Sequence, residues 1–166
     1  MSEGVIYSGV RQVVSLSSET CAFITSHRVA RLATLDSVGS PHLVPICYAY
    51  DDIYIYSAID LKPKRVPASD LKRVNNIRSN PKVAILIDDY SEDWSHLAYV
   101  MVKGSAVILE SGPQRSAAEA MLRDKYAQYR DFLGHHCLVL RVTLEKVVSW
   151  SSEERIACTL DPDISR

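Results

Sequence analysis

Between Val29 and Ser57 the chain runs through three stretches rich in apolar, aromatic and β-branched residues, joined by very short links. Val29–Leu35 is the first, Pro41–Tyr50 the second and Ile53–Ser57 the third. The links, Asp36 to Ser40 and Asp51-Asp52, are turn chemistry, with Gly39 free to adopt positive φ. Parallel neighbours need a crossover of about a dozen residues or more, so three strands this close must form an antiparallel meander.

The rest of the chain is built around that meander. Ser17, Ser18 and Glu19 read as the start of a short helix through Cys21–Ile24, ending near Ser26–His27. Ser69-Asp70 reads as the cap of a second helix, with Leu71, Val74 and Ile77 on one face and Asn80-Pro81 as its stop. Val83–Ile87 is a continuous apolar run and is expected to be buried on both faces. His96–Leu109 reads as a long strand kinked or bulged at Gly104. Pro113 opens a third helix, with Ala118, Leu122, Tyr126 and Tyr129 along one edge, and Cys137–Ser149 is a last strand. The expected fold is mainly β: a six-stranded antiparallel split β-barrel with peripheral helices. All of residues 1–166 are assigned to one domain, with 1–16 as an arm and 151–166 as a tail.

Several function classes are excluded early. Charges of 19 Lys+Arg against 20 Asp+Glu leave a net of −1, without the basic face of a nucleic-acid binder. No apolar run is long enough to span a membrane, and the first ten residues do not read as a signal peptide, so a cytoplasmic protein is expected. Cys21, Cys47, Cys137 and Cys158 lie far apart and read as free thiols, not as a zinc site or a disulfide framework. The glycines form no G-x-G-x-x-G, and Gly4 and Gly9 have P-loop spacing but lack the following Lys and Ser/Thr. No metal site or catalytic triad can be argued from the scattered histidines, and adjacent His135-His136 fit a helix end better.

The near-neutral charge is a cancellation. Residues 61–78 hold Lys62, Lys64, Arg65, Lys72, Arg73 and Arg78 against Asp70 alone, while Asp88, Asp89, Glu92 and Asp93 cluster further on. Lys62 and Lys64 precede a helix start, a place that favours anions. Ser57 at the end of the preceding strand adds a hydroxyl. This segment reads either as a phosphate site or as a solvated basic loop; Lys72 and Arg73 read as surface charges. Pro45 inside the second strand requires an edge or a bulge, either with a flat ring against its backbone or with no ligand. Trp94 in an acidic loop reads as an interface contact, a ligand lid or a local anchor.

Taken in order, these pieces resemble a known family. The stretch from His27 to Tyr90 carries R-L-A-T on one strand and G-x-P-H-x-V-P leading into the next. A basic loop, N-N-I-R-x-N-P on a helix and an apolar strand follow. That set resembles the pyridoxamine 5′-phosphate oxidase-like, flavin-binding split β-barrel superfamily. D-L-K-P-K and D-D-Y-S-E-D-W-S are similar to its branch of deazaflavin (coenzyme F420)-dependent enzymes. The resemblance implies a homodimer with cofactor sites at the subunit interface. It implies that Lys62 and Lys64, with Ser57 nearby, bind the cofactor phosphate, and that Val44, Pro45 and Ile46 line the ring with His42 near its edge. Trp94 is the candidate for completing the other subunit's pocket. Arg31–Leu35 lacks the closing lysine of the pyridoxamine phosphate oxidases, and the tail lacks their basic signature. These departures point away from oxidation of a vitamin B6 phosphate. The expected function is an oxidoreductase transferring hydride between FMN or F420 and a small electron-poor molecule. The alternative is a non-catalytic flavin or haem carrier on the same fold.

Overall fold

A computed structural model describes residues 14–59, 67–134, 137–153 and 156. Helix α1 (Ser18–Ser26) is followed by β1 (Ala30–Leu35), β2 (Pro41–Ile46), β3 (Ala49–Tyr50) and β4 (Tyr54–Ala58). Then come α2 (Lys72–Ser79), β5 (Lys82–Asp89), β6 (Ala98–Leu109), α3 (Pro113–Lys125), α4 (Tyr129–Phe132) and β7 (Val139–Ser151).

The strands form one antiparallel sheet in the order β2-β1-β5-β6-β7-β4-β3. This order explains why the sheet curls. β2 and β3 occupy opposite edges, yet only Cys47 and Tyr48 join them. Seven flat strands would put the edges about 29 Å apart at the usual strand spacing. The three Cα steps from Ile46 to Ala49 reach only about 11 Å. The sheet must roll until its edges approach, and the interior so formed is filled by Leu32, Tyr48, Ile55, Ile85, Ile87, Val100, Val102 and Leu140, with Ile24 and Val74 from α1 and α2. A second core under α3 and α4 gathers Tyr56, Leu122, Tyr126, Tyr129 and Val139.

The expected class is therefore present, with seven strands where six were expected. The second apolar run is two strands, because β2 pairs with β1 while β3 pairs with β4 at the far edge. The simple meander is corrected accordingly. Pro45 does sit on an edge strand, where its missing N–H costs no ladder bond. Val83, Ile85 and Ile87 are buried, but Ala84 is half-buried and Leu86 is 37% exposed, so β5 is not covered on both faces. A continuous apolar run cannot distinguish these cases, because alternation of faces is set by the sheet and not by the residues.

Two helix starts also differ from expectation. Ala68–Asp70 is a 3-10 turn, and α2 begins after Leu71 with no side-chain cap bond. The Leu71 carbonyl accepts from the Val74 and Asn75 amides instead. α3 ends at Lys125, so Tyr126 caps it and Tyr129 opens α4. What fixes α2 on the barrel is buried Asn76: its side-chain amide donates to Thr34 Oγ1 at 2.9 Å, and that hydroxyl donates to the His42 carbonyl at 3.4 Å. Residues of the R-L-A-T and N-N-I-R segments thus meet, and the first turn of α2 is held against the β1–β2 edge. No helix among the described residues is long and apolar enough to cross a membrane.

Candidate functional site

The two-residue crossing from β2 to β3 is also where the chain leaves a cavity. It measures about 210 Å3 and is lined by Val29, Pro45, Ile46, Cys47, Ser57, Ala58, Arg73 and Tyr129. Pro45 and Ile46 arrive from one sheet edge, and Ser57 and Ala58 from β4 beside the other. Arg73 comes from the first turn of α2, placed there by the Asn76–Thr34 bond. Arg73 is therefore not a plain surface charge. Its neighbour Lys72 is one: it pairs with Asp36 at 3.5 Å and is half-exposed. The periodicity of the helix carried the signal, since buried Asn76 and Ile77 lie three and four positions after Arg73, on its face.

Three of the sequence-derived site residues, Pro45, Ile46 and Ser57, meet on this wall. Val44 shares a face of β2 with Ile46 and half-buried His42 and packs on the main core, off the cavity wall. Trp94 opens a 3-10 turn between β5 and β6, where the Asp93 side chain caps it by accepting from the Ser95 amide at 3.1 Å. Trp94 is 71% exposed and is not on the cavity wall. Lys62 and Lys64 lie outside the described residues, in the segment that follows Ile59. His135 and His136 lie outside them too.

A second cavity, of about 460 Å3, adjoins the first along Val29, Cys47 and Tyr129 and adds Arg28, Tyr126, Gln128 and Phe132. Its back wall is firmly held. The Tyr126 hydroxyl lies 2.7 Å from the Arg28 carbonyl and 2.8 Å from the Tyr48 carbonyl, and accepts from the Tyr48 amide at 3.1 Å. Burial pushes that phenol up to about 12. Arg123 donates to the carbonyls of Tyr129, Arg130 and Leu133 and pairs with Glu119, tying α4 to α3.

Beneath this wall lies Lys125. Its ammonium sits 4.3 Å from the Tyr48 ring centroid. Burial, reinforced by Arg28 and opposed by Cys47, lowers its pKa to about 8. Between about pH 8 and 10.5 the unfolded lysine holds a proton that the folded one has lost, so this group adds stability as pH rises through that window. Below it both states are charged and the desolvation penalty is fully present. Lys125→Met is expected to stabilise the chain at pH 7 by about 1 kcal/mol, after discounting for partial solvent contact and the lost cation–π contact. Urea titrations at pH 7 and pH 10 check this: the gap over wild type must shrink at the higher pH, and a gap that grows refutes it.

A family model described as pyridoxamine 5′-phosphate oxidase matches residues 16–150, which span both sheet edges and the cavity between them. The chain belongs to the pyridoxamine 5′-phosphate oxidase family. Among solved structures, this family member is similar to the conserved hypothetical protein Rv2991 of Mycobacterium tuberculosis, with TM-score 0.69 and 20% identity over 91% of this chain and 94% of that one. It is similar to a FAD-binding protein of Mesorhizobium loti, with TM-score 0.58 and 27% identity over 81% and 91%. It also resembles HutZ, the haem storage protein of Vibrio cholerae, with TM-score 0.63 and 14% identity over 83% and 95%. A search of curated proteins finds no match. Family membership and these likenesses agree on the rolled sheet; the flavin- and haem-binding relatives differ in what they carry.

Proposed function

We propose that this pyridoxamine 5′-phosphate oxidase family member is a cytoplasmic, homodimeric oxidoreductase that uses FMN or F420 to exchange hydride with a small electron-poor molecule such as an enone or quinone. The observation that carries the reading is the cavity at the β2–β3 crossing, where a guanidinium, a buried serine and the backbone of an edge strand with an interior proline come together. Those groups suit a phosphate at one end and a flat ring along the strand. Arg73, with Lys62 and Lys64 from the neighbouring segment, would neutralise the phosphate. Ser57 would donate a hydroxyl hydrogen bond, and Pro45 and Ile46 would set the ring's distance from the sheet. When bound, the cofactor supplies the hydride chemistry, so the protein need only orient it and exclude water. The 27%-identical relative described as FAD-binding supports a flavin.

The homodimer is supported by the outer face of the sheet. Rows across the register place Leu43 beside Ala33 and Ala84, and Pro45 beside Arg31, Leu86 and Met101. Leu43 is 64% exposed, and a depression of about 350 Å3 lies over Ala33, Leu35 and Ala84. An apolar sheet face of this kind marks an interaction surface. Trp94, prominent on the β5–β6 connection, is the candidate for reaching the partner's pocket.

Titration of the purified protein with FMN, F420 and haem tests the reading. One of the first two is expected to bind, and a Lys62→Ala, Lys64→Ala double variant is expected to stay folded by circular dichroism while losing it. Unchanged affinity in the double variant overturns the phosphate assignment. A Soret band on haem addition that one histidine substitution abolishes replaces the enzyme reading with the carrier.

A further inference from the structure

A flavin that ends at its first phosphate leaves the larger of the two adjacent cavities unexplained. The smaller cavity, about 210 Å3, is below the roughly 300–1,000 Å3 typical of small-molecule sites. The larger, about 460 Å3, falls within that range and shares Val29, Cys47 and Tyr129 with the wall of the first. Its wall has a definite chemistry. Phe132 presents an open aromatic ring in front of the buried Tyr126 and Tyr129, Gln128 an amide that can both donate and accept, and Arg28 a guanidinium. Two apolar side chains stand open at it: Val29 is 46% exposed and Phe132 is 42% exposed.

The wall is also set in advance of any ligand. Tyr126 is held by its hydroxyl bonds to the crossing segment, and α4 by Arg123. Arg28 lies 4.8 Å from the Tyr126 ring centroid and donates to the Lys125 carbonyl at 2.7 Å. A pre-set wall spares a ligand the cost of ordering it. An open ring, a single amide and one cation next to a phosphate cavity suit a planar heterocycle with hydrogen-bonding edges, tethered through a second phosphate. A tail of repeated carboxylates would ask for several cations and has no use for an open aromatic ring.

We infer that the larger cavity binds the adenosine half of a flavin dinucleotide, with Phe132 and Gln128 recognising the adenine and Arg28 facing the second phosphate. This rests on the flavin arm of the proposed function, which it extends from FMN to FAD while setting the F420 arm aside. The test compares riboflavin, FMN, FAD and F420 binding to the full chain by fluorescence titration. FAD is expected to bind at least tenfold more tightly than FMN. Phe132→Ala and Gln128→Ala, both at exposed positions, are each expected to weaken FAD about tenfold and to leave FMN within twofold. Equal affinity for FMN and FAD in the wild type overturns the adenosine subsite and leaves the flavin reading intact. So does a variant that weakens FMN and FAD alike, or one that weakens F420 alone. Failure of every flavin to bind overturns both readings together.

Discussion

Gly104→Ala is expected to destabilise the protein by about 3 kcal/mol or more, because the added methyl group has no room. A Cβ built on Gly104 would lie 2.0 Å from the Thr143 carbonyl oxygen and 3.1 Å from its carbon. The obstacle is backbone, so no side-chain rotation relieves it. The reason for the close approach is a register shift. Lys103 pairs with Lys146 but Gly104 pairs with Leu144, leaving Glu145 as an extra residue on β7. A bulge of this kind bends and twists its strand. β6 and β7 are the two longest strands and lie near the middle of the sheet, so separating them to admit a methyl group breaks ladder bonds on both sides of the bulge. Gly39→Ala is the informative comparison. Nothing lies within 4 Å of its added Cβ, but its φ of +82° disfavours any side chain, so it should cost only about 1–2 kcal/mol. Urea unfolding of the two variants separates steric from conformational cost. A Gly104→Ala loss no larger than that of Gly39→Ala would show that the strands can part cheaply.

Gly104 was visible in the sequence as a glycine inside a long apolar strand, and Pro45 as a proline inside another; both report a local backbone requirement. Strands alternating with short turns likewise specified antiparallel pairing. What stayed hidden is what the closure of the sheet decides. Nothing between Pro41 and Tyr50 says that the chain changes edges at Cys47 and Tyr48, since both halves keep strand-like residues. The same holds for β5, where Leu86 looks identical to its buried neighbours until the register assigns it to the open face. At the site, Ser57 and Pro45 were found from a strand end and an interior proline and Ile46 from the family resemblance, whereas Arg73 was missed. Its role depends on how α2 is seated, and the seating bond joins Asn76 to Thr34 across 42 positions. Gln128 and Phe132 were missed because Tyr126 and Tyr129 read as one continuous helix edge, and the break between α3 and α4 is what turns them toward a cavity.

Arg73→Ala is expected to weaken FMN binding by about 10- to 100-fold, the worth of a charge-assisted hydrogen bond to phosphate of roughly 1.5–3 kcal/mol. The comparison that gives this meaning is riboflavin, which has the same ring without the phosphate. If Arg73 meets the phosphate, riboflavin affinity stays within about twofold while FMN affinity falls. If Arg73 only supports the cavity wall, both fall together and the assignment fails. Lys72→Ala supplies the matching control. It removes the same charge one residue away, but Lys72 is engaged with Asp36, whose carboxyl is held below its usual range chiefly by the Ser40 amide. Net charge changes equally in the two variants, so a long-range electrostatic effect would weaken FMN in both, and more so at low salt. A loss confined to Arg73→Ala, and only partly restored by Arg73→Lys, would instead reflect a planar donor placed against one anion. That outcome would make the seating of α2 by Asn76 part of the binding apparatus, because the buried Asn76–Thr34 bond ties the helix that carries Arg73 to β1.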